Sequence, residues 1–365
     1  MAPTESSTRN ARRHRRRRGV KALVGAFVVG AAAGCSPVYV VKAGIAEVGI
    51  LRARQPIHRV LADTTVSPDT RAKLAWIMEA RRFASDDLGF DVGEAYTQYT
   101  ELESDTLALV VSAAYRARLV PKTWWFPVVG RVPYKGHFSL DGALSEAESL
   151  REDGYDAFVR PTSAFSTLGW FNDPVVSATL RVDDVEVVTT TFHELLHREL
   201  FVPGHVTFNE SLATFVGRVA AIRFFCTREG GGPETVRCAR AQARWRDVQR
   251  FGAYIDDLVA RLQVVYYDET LDEAGKLARR EEVFADALQQ FDDELAPSFE
   301  SLTFGSFRRD PLNNATLLSR YRYYHRLADF DALLVLYDGD LPQAVADLAA
   351  RARGTDDPFS LLPDG

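Results

Sequence analysis

His193, Glu194 and His197 are the residues of this 365-residue chain whose types and spacing suit hydrolytic metal chemistry. Positions four apart on an α-helix differ by only about 40° around the axis, so both imidazoles of His193-Glu194-Leu195-Leu196-His197 project from one face. Glu194, the next residue round, is placed to take a proton from a water on the ion those imidazoles would hold, which makes it the expected general base and zinc the expected cofactor. A helix must carry this set. Asp183-Asp184 offers an N-cap, and Val185 to Phe192 supplies an apolar approach. Its β-branched residues could also form a strand, but two histidines needed on one face favour the helix. The alternative is an ordinary amphipathic helix, with exposed histidines and with Leu195 and Leu196 in the core.

Two histidines leave a tetrahedral zinc one protein ligand short of a working site. Asn209-Glu210-Ser211 opens a second amphipathic segment, with Glu210 thirteen residues after His197. Between them Phe201 to His205 contains Pro203 and Gly204, a helix stop and reversal. Two antiparallel helices joined there would bring Glu210 against the histidine face. The arrangement resembles the gluzincins, in which the third ligand is the Glu of an N-E motif on the following helix. His193, His197 and Glu210 are therefore the expected ligands. His205 is the rival, but the HExxHxxGxxH pattern of metzincins needs its third histidine six residues after the second, and here the gap is eight. Gluzincins carry an acid four residues after the ligand Glu to orient a metal histidine. Thr214 stands there, so a backbone carbonyl or another carboxylate would have to do this.

Arg12, Arg13, His14 and Arg15 to Arg18 precede an apolar stretch, Val20 to Ala33, which ends at Ala32-Ala33-Gly34-Cys35. A charged region, a short apolar region and small residues describe a secretory signal, too short to span a membrane comfortably. Cys35 directly after that site looks like a lipobox cysteine, so it is the expected lipidation residue, and the paired arginines leave twin-arginine export open. An uncleaved membrane anchor is the alternative. The expected setting is the cell envelope, at the outer membrane and facing the periplasm. Without residues 1–34 the chain keeps 36 basic and 49 acidic residues, about −13 net, which argues against a nucleic-acid partner. Cys226 and Cys238 flank the Glu229 to Pro233 turn. In an oxidising envelope they are expected to pair, contributing about 2–3 kcal/mol.

The elements around the motif read as α+β, zincin-like, with a small mostly antiparallel sheet beside a largely helical body. The expected domains are a signal peptide over 1–34 and one metallopeptidase over 35–365. Its sheet-containing part covers about 100–180, its metal-site helices 184–227 and its helical C-terminal part 233–365. Helices are expected over Val38–Leu61, Pro68–Leu88, Ala143–Asp153, Glu234–Leu262, Leu271–Leu295, Leu312–Leu327 and Pro342–Arg353. Strands are expected over Thr106–Tyr115, Trp124–Val129, Ala157–Pro161 and Ala164–Phe171. The two long helices between 234 and 295 are expected to pair with each other within one chain.

Peptide hydrolysis also needs a hydrogen-bond donor for the oxyanion and an edge to align the substrate. Leu168-Gly169-Trp170 is the candidate substrate-binding edge, because a Gly in a strand permits close approach of another backbone; a β-bulge beside core aromatics is the alternative. Helical spacing puts Tyr321, Tyr324 and His325 on one side. Tyr324 is the candidate donor, and simple packing is the alternative for each. Asn313-Asn314-Ala315 belongs to the same segment, and Val129 to Gly136 reads as a hairpin that could bring Arg131 or Tyr134 to the cleft.

The chain resembles a family of zinc aminopeptidases described as lipoproteins of Gram-negative bacteria. The resemblance rests on Gly34-Cys35 with Tyr39 to Gly49, Val132 to Gly136, Ser166 to Phe171, Phe192 to His197, Phe208 to Ser211 and Asn313 to Ala315. It implies zinc, an envelope location through a lipid anchor, and a peptide substrate. The Cys226/Cys238 insert is not a general feature of that family. No G-x-M-E-N-type motif, the usual source of an α-amine-binding carboxylate, is present, so exopeptidase action rests on the family name. A zinc-binding envelope scaffold or chaperone without hydrolysis is the alternative function. It would have no need of Glu194.

Overall fold

The computed structural model describes residues 52–102, 108–126, 130–162 and 174–363. Its first elements are β1 (Gln55–Pro56), α1 (Ile57–Ala62) and α2 (Pro68–Asp86). The helix expected over Val38–Leu61 is interrupted by β1, since Pro56 is extended at φ −57° and ψ 128° and α1 starts after it; residues 38–51 lie outside the described residues. α2 starts where its cap predicts, with Ser67 Oγ accepting from the Thr70 amide at 3.0 Å and Pro68 in the first turn.

Three small sheets follow. β2 (Gln98–Thr100) runs antiparallel to β1 and parallel to β8 (Val175–Val176). β3 (Ala108–Tyr115) lies between β6 (Lys135–His137) and β7 (Tyr155–Thr162), antiparallel to both, with Val110 opposite Gly136 and Arg160. β4 (Trp124–Phe126) and β5 (Gly130–Val132) form a separate antiparallel pair. The period-two alternation of β3 and β7 sorts their faces. Val111, Ala113 and Ala157 pack on Ala143, Ala147 and Leu150 of α3 (Leu140–Glu152), where alanines on both sides let helix and sheet approach closely. Asp156, Phe158 and Arg160 take the opposite face.

From Ser177 the described chain is helical apart from its connections, beginning with a 3-10 turn, Ser177–Arg181. It continues through α4 (Asp184–Glu199), α5 (Val206–Thr227), α6 (Val236–Tyr267), α7 (Glu273–Gln290) and α8 (Gly305–Arg309). The last three are α9 (Asn314–Tyr324), α10 (Leu327–Leu336) and α11 (Leu341–Ala352). α6 and α7 form the expected hairpin, with Ile255, Leu258 and Leu262 against Val283, Phe284 and Ala287. A larger core joins α2, α4 and α5 through Leu74, Ile77, Phe192, Leu196, Phe208 and Phe224. Each such fully buried side chain contributes about 1.5–3 kcal/mol. The fold is α+β, as the strand and helix patterns predict.

The segment expected as one helix over Leu312–Leu327 divides instead into α9 and α10. The Ser211 hydroxyl accepts from the His325 amide at 3.2 Å and Asp256 from the Arg326 amide at 3.0 Å, replacing helical partners, and Arg326 turns left-handed at φ 53°. A disulfide, Cys226–Cys238, ties the end of α5 to the start of α6 with 5.0 Å between Cα atoms. Among the described residues, no helix is long and apolar enough to cross a membrane. Cys35 lies outside the described residues, as does the substrate edge Leu168-Gly169-Trp170.

Candidate active site

α4 carries the histidines, and its chemistry shows how a β-branched run becomes a helix. Asp183 caps it, accepting from the Glu186 amide at 3.1 Å. The buried hydroxyls of Thr189 and Thr191 would otherwise be orphaned; each donates back to the carbonyl four residues earlier, Val185 and Val187, at 2.8 Å. Arg218 of α5 then grips Glu186 through both terminal guanidinium nitrogens at 2.8 Å, tying the first turn of α4 to α5.

The return from α4 to α5 turns at Gly204, whose φ of +86° suits a residue without a Cβ. The next three motif residues divide the work of holding the site. Asn209, 3 % exposed, both accepts from the Val202 amide and donates to its carbonyl at 2.9 Å, so its side chain closes the loop. Glu210 faces the histidines. Ser211, fully buried, donates to the Arg322 carbonyl at 3.0 Å and accepts from the His325 amide, which fixes the end of α9. Two turns further along α5, Gly217 lies against α4: a Cβ there would sit 2.9 Å from the Thr189 carbonyl and 3.2 Å from His193 Cβ. The contact is one that glycine alone allows, and it brings α5 against the turn of α4 that carries His193.

Glu210 Oε2 lies 3.3 Å from His193 Nε2 and 3.5 Å from His197 Nε2, and the potential ligand atoms of the three residues all fall within 4.8 Å of one another. A charge-assisted hydrogen bond would draw such a pair to about 2.7–2.9 Å. Ligands at about 2.0–2.1 Å from a tetrahedral zinc stand roughly 3.3–3.4 Å apart. The donor set, two imidazoles and one carboxylate, and the two carboxylate–imidazole distances fit that ion. The three groups also act on one another's charge. Burial alone would raise the Glu210 carboxyl, but the facing His197 and His193 outweigh it and hold the group below the ordinary carboxylate range. Burial would lower His197, but Glu210 and then Glu194 outweigh it and hold the imidazole above its ordinary value. Glu194 is half-buried on the same helix. Among the described residues, Nδ1 of His197 is buried without a hydrogen-bond partner; Thr214 does not supply one. His205 stands at the start of α5, outside the cluster.

One wall of the site comes from α9 and the sheet. Tyr323 stacks on His193 with 6.2 Å between ring centroids and 29° between planes, and its hydroxyl accepts from Arg160 of β7 at 3.3 Å. Tyr134, between β5 and β6, lies with its ring 5.0 Å from the guanidinium of Arg322. Burial and the Glu210 charge raise both phenols above their ordinary value, against the pull of Arg160 and Arg322. The expected Tyr324 goes elsewhere. Its ring meets Phe251 edge-on at 5.1 Å and feels Arg218 and Glu186, so it packs inside the helical body. Tyr321 stacks on His325, whose Nδ1 lies 2.8 Å from Asp256 of α6. The helical phase expected for these three residues is right, but that face looks toward α6. Asn313 and Asn314 are structural: the first caps α9, and the second, fully buried, bonds to the Tyr266 hydroxyl at 2.8 Å and the Tyr115 carbonyl at 2.8 Å. Tyr323 and Arg322 fall in the expected helix and Arg160 in an expected strand, but none is singled out there for the site, because nothing local distinguishes them from surface residues.

A family model described as "Putative aminopeptidase" matches residues 38–357. No curated protein and no solved structure matches the chain.

Proposed function

Because the chain belongs to the "Putative aminopeptidase" family, we propose that it is a zinc metallopeptidase of zincin-like fold, and that His193, His197, Glu210 and Glu194 carry the reaction. The convergence of two imidazoles and one carboxylate at coordination spacing, with a glutamate beside them on the same helix, is the observation that supports this reading. When bound, zinc would polarise the scissile carbonyl and lower the pKa of its water to about 7. Glu194 would take the proton of the attacking water and pass it to the leaving amine nitrogen. Tyr323, whose hydroxyl oxygen accepts from Arg160, keeps its own hydrogen to donate to the oxygen on which negative charge develops. Burial keeps that phenol protonated at neutral pH. The exopeptidase direction comes from the family name. An envelope location, with Cys35 as the lipid-bearing residue, rests on the Arg12 to Cys35 pattern.

The test is Glu194→Gln. Expected is full zinc content by elemental analysis with cleavage of a mixed peptide library reduced about 10²–10⁴-fold, the range for removing a general base. A variant that cleaves as fast as the parent, or a parent that binds no zinc, would sink the proposal.

A further inference from the structure

Arg322 is 3 % exposed, yet its Nη1 is buried with no hydrogen-bond partner among the described residues. Its guanidinium rests on the Tyr134 ring, and among the described residues no carboxylate pairs with it. Arg160 is half-buried nearby, its guanidinium 5.8 Å from the centre of the Tyr323 ring and its hydrogen bond going to an uncharged hydroxyl. Elsewhere in this acidic chain, buried arginines find acids: Arg280 pairs with Asp156 at 2.9 Å, Arg320 with Asp310 at 3.0 Å and Arg218 with Glu186 at 2.8 Å. Burying a guanidinium without an anion is costly, and the cost is recovered when an anion arrives. Both cations border the one ring, Tyr323, that stacks on His193. At about 3.3–3.6 Å per residue, an extended peptide crosses the width of that ring in one or two residues.

We infer that Arg322, assisted by Arg160, is a receptor for a substrate carboxylate next to the reacting bond, so that the preferred substrates are short peptides bearing a carboxylate one or two residues from the cleaved bond. This rests on the metallopeptidase reading. The carboxylate is either the C-terminus of a di- or tripeptide or an acidic side chain. The arginine fork accepts the two oxygens in one plane, a match that an ammonium lacks.

The experiment measures binding calorimetrically to the zinc-loaded Glu194→Gln protein, which does not consume its ligand. Three probes are compared: Ala-Ala-Ala as the free acid, Ala-Ala-Ala amide and Ala-Asp-Ala amide. Expected is a preference of about tenfold or more for a carboxylate-bearing probe over Ala-Ala-Ala amide, the scale of one charge-assisted hydrogen bond. Preference for the free acid identifies the C-terminus as the source, and preference for the Asp peptide identifies the side chain. Adding Arg322→Gln should abolish the difference, and Arg160→Gln should reduce it; Arg322→Lys should restore only part of it. Equal binding of all three probes to the protein with both arginines intact overturns the inference whatever the variants do. Cleavage is then followed with Glu194 in place. Discrimination in binding without cleavage of any probe would count against hydrolysis and leave the receptor standing, whereas equal cleavage of acid and amides does the reverse.

Discussion

Tyr323 and Tyr324 are neighbours in sequence, and a helical step of about 100° sends them to different sides of α9. One meets His193, the other Phe251. Spacing alone grouped Tyr321, Tyr324 and His325 correctly but could not say which side of α9 faced His193, because that depends on Ser211 and Asp256 holding the helix end. The meeting of His193, His197 and Glu210 was legible, since it needs only local helix geometry and one reversal. The tyrosine can be tested directly. Tyr323→Phe should lower kcat about 10²-fold or more with KM little changed, the loss seen on removing one oxyanion donor. Tyr324→Phe should leave kcat close to that of the parent. Steady-state kinetics on a common peptide substrate distinguish the two, and equal losses would remove Tyr323 from the proposed machinery.

Helices α4 and α5 were legible as elements because Asp183 caps one and Gly204 marks the turn before the other. Their closeness was not. It depends on Gly217 meeting the Thr189 backbone, a contact between residues 28 positions apart. Gly217→Ala should force the helices apart at this point, since the atom it strikes is a backbone carbonyl that cannot turn aside. The expected cost is about 1–3 kcal/mol of stability, read as a lower Tm, together with weaker zinc binding in a competitive chelator titration. An unchanged zinc affinity would show that helix spacing does not set the ligand geometry. The short strands escaped notice for a different reason. β1 and β8 have two residues each, too few for any alternation to register, and only pairing with β2 makes them strands.

Across the whole molecule, two cores meet at α6 and α9. One holds α4 and α5, the other the α6/α7 hairpin. The Cys226–Cys238 disulfide fastens the entry to α6 onto the core of α4 and α5, at the far end of α5 from Glu210. Replacing both cysteines by alanine is therefore expected to cost about 2–3 kcal/mol, lowering the denaturation midpoint while leaving zinc stoichiometry and kcat intact. Loss of zinc in that variant would show that the far end of α5 reaches the ligands after all. The α+β class was legible from the contrast between β-rich segments before residue 180 and amphipathic ones after it. The order of packing was not, because contacts such as Asn314 to the Tyr115 carbonyl span about two hundred residues.

Residues 209–211 are three consecutive positions with three different attachments: the loop behind α4, the histidines, and the end of α9 that bears Tyr323. A twist of that single turn moves all of them together. A hub of this kind cannot be edited piecemeal, and it reaches Arg322 as well, whose carbonyl accepts from Ser211, whereas Tyr134 and Arg160 are held by the strands.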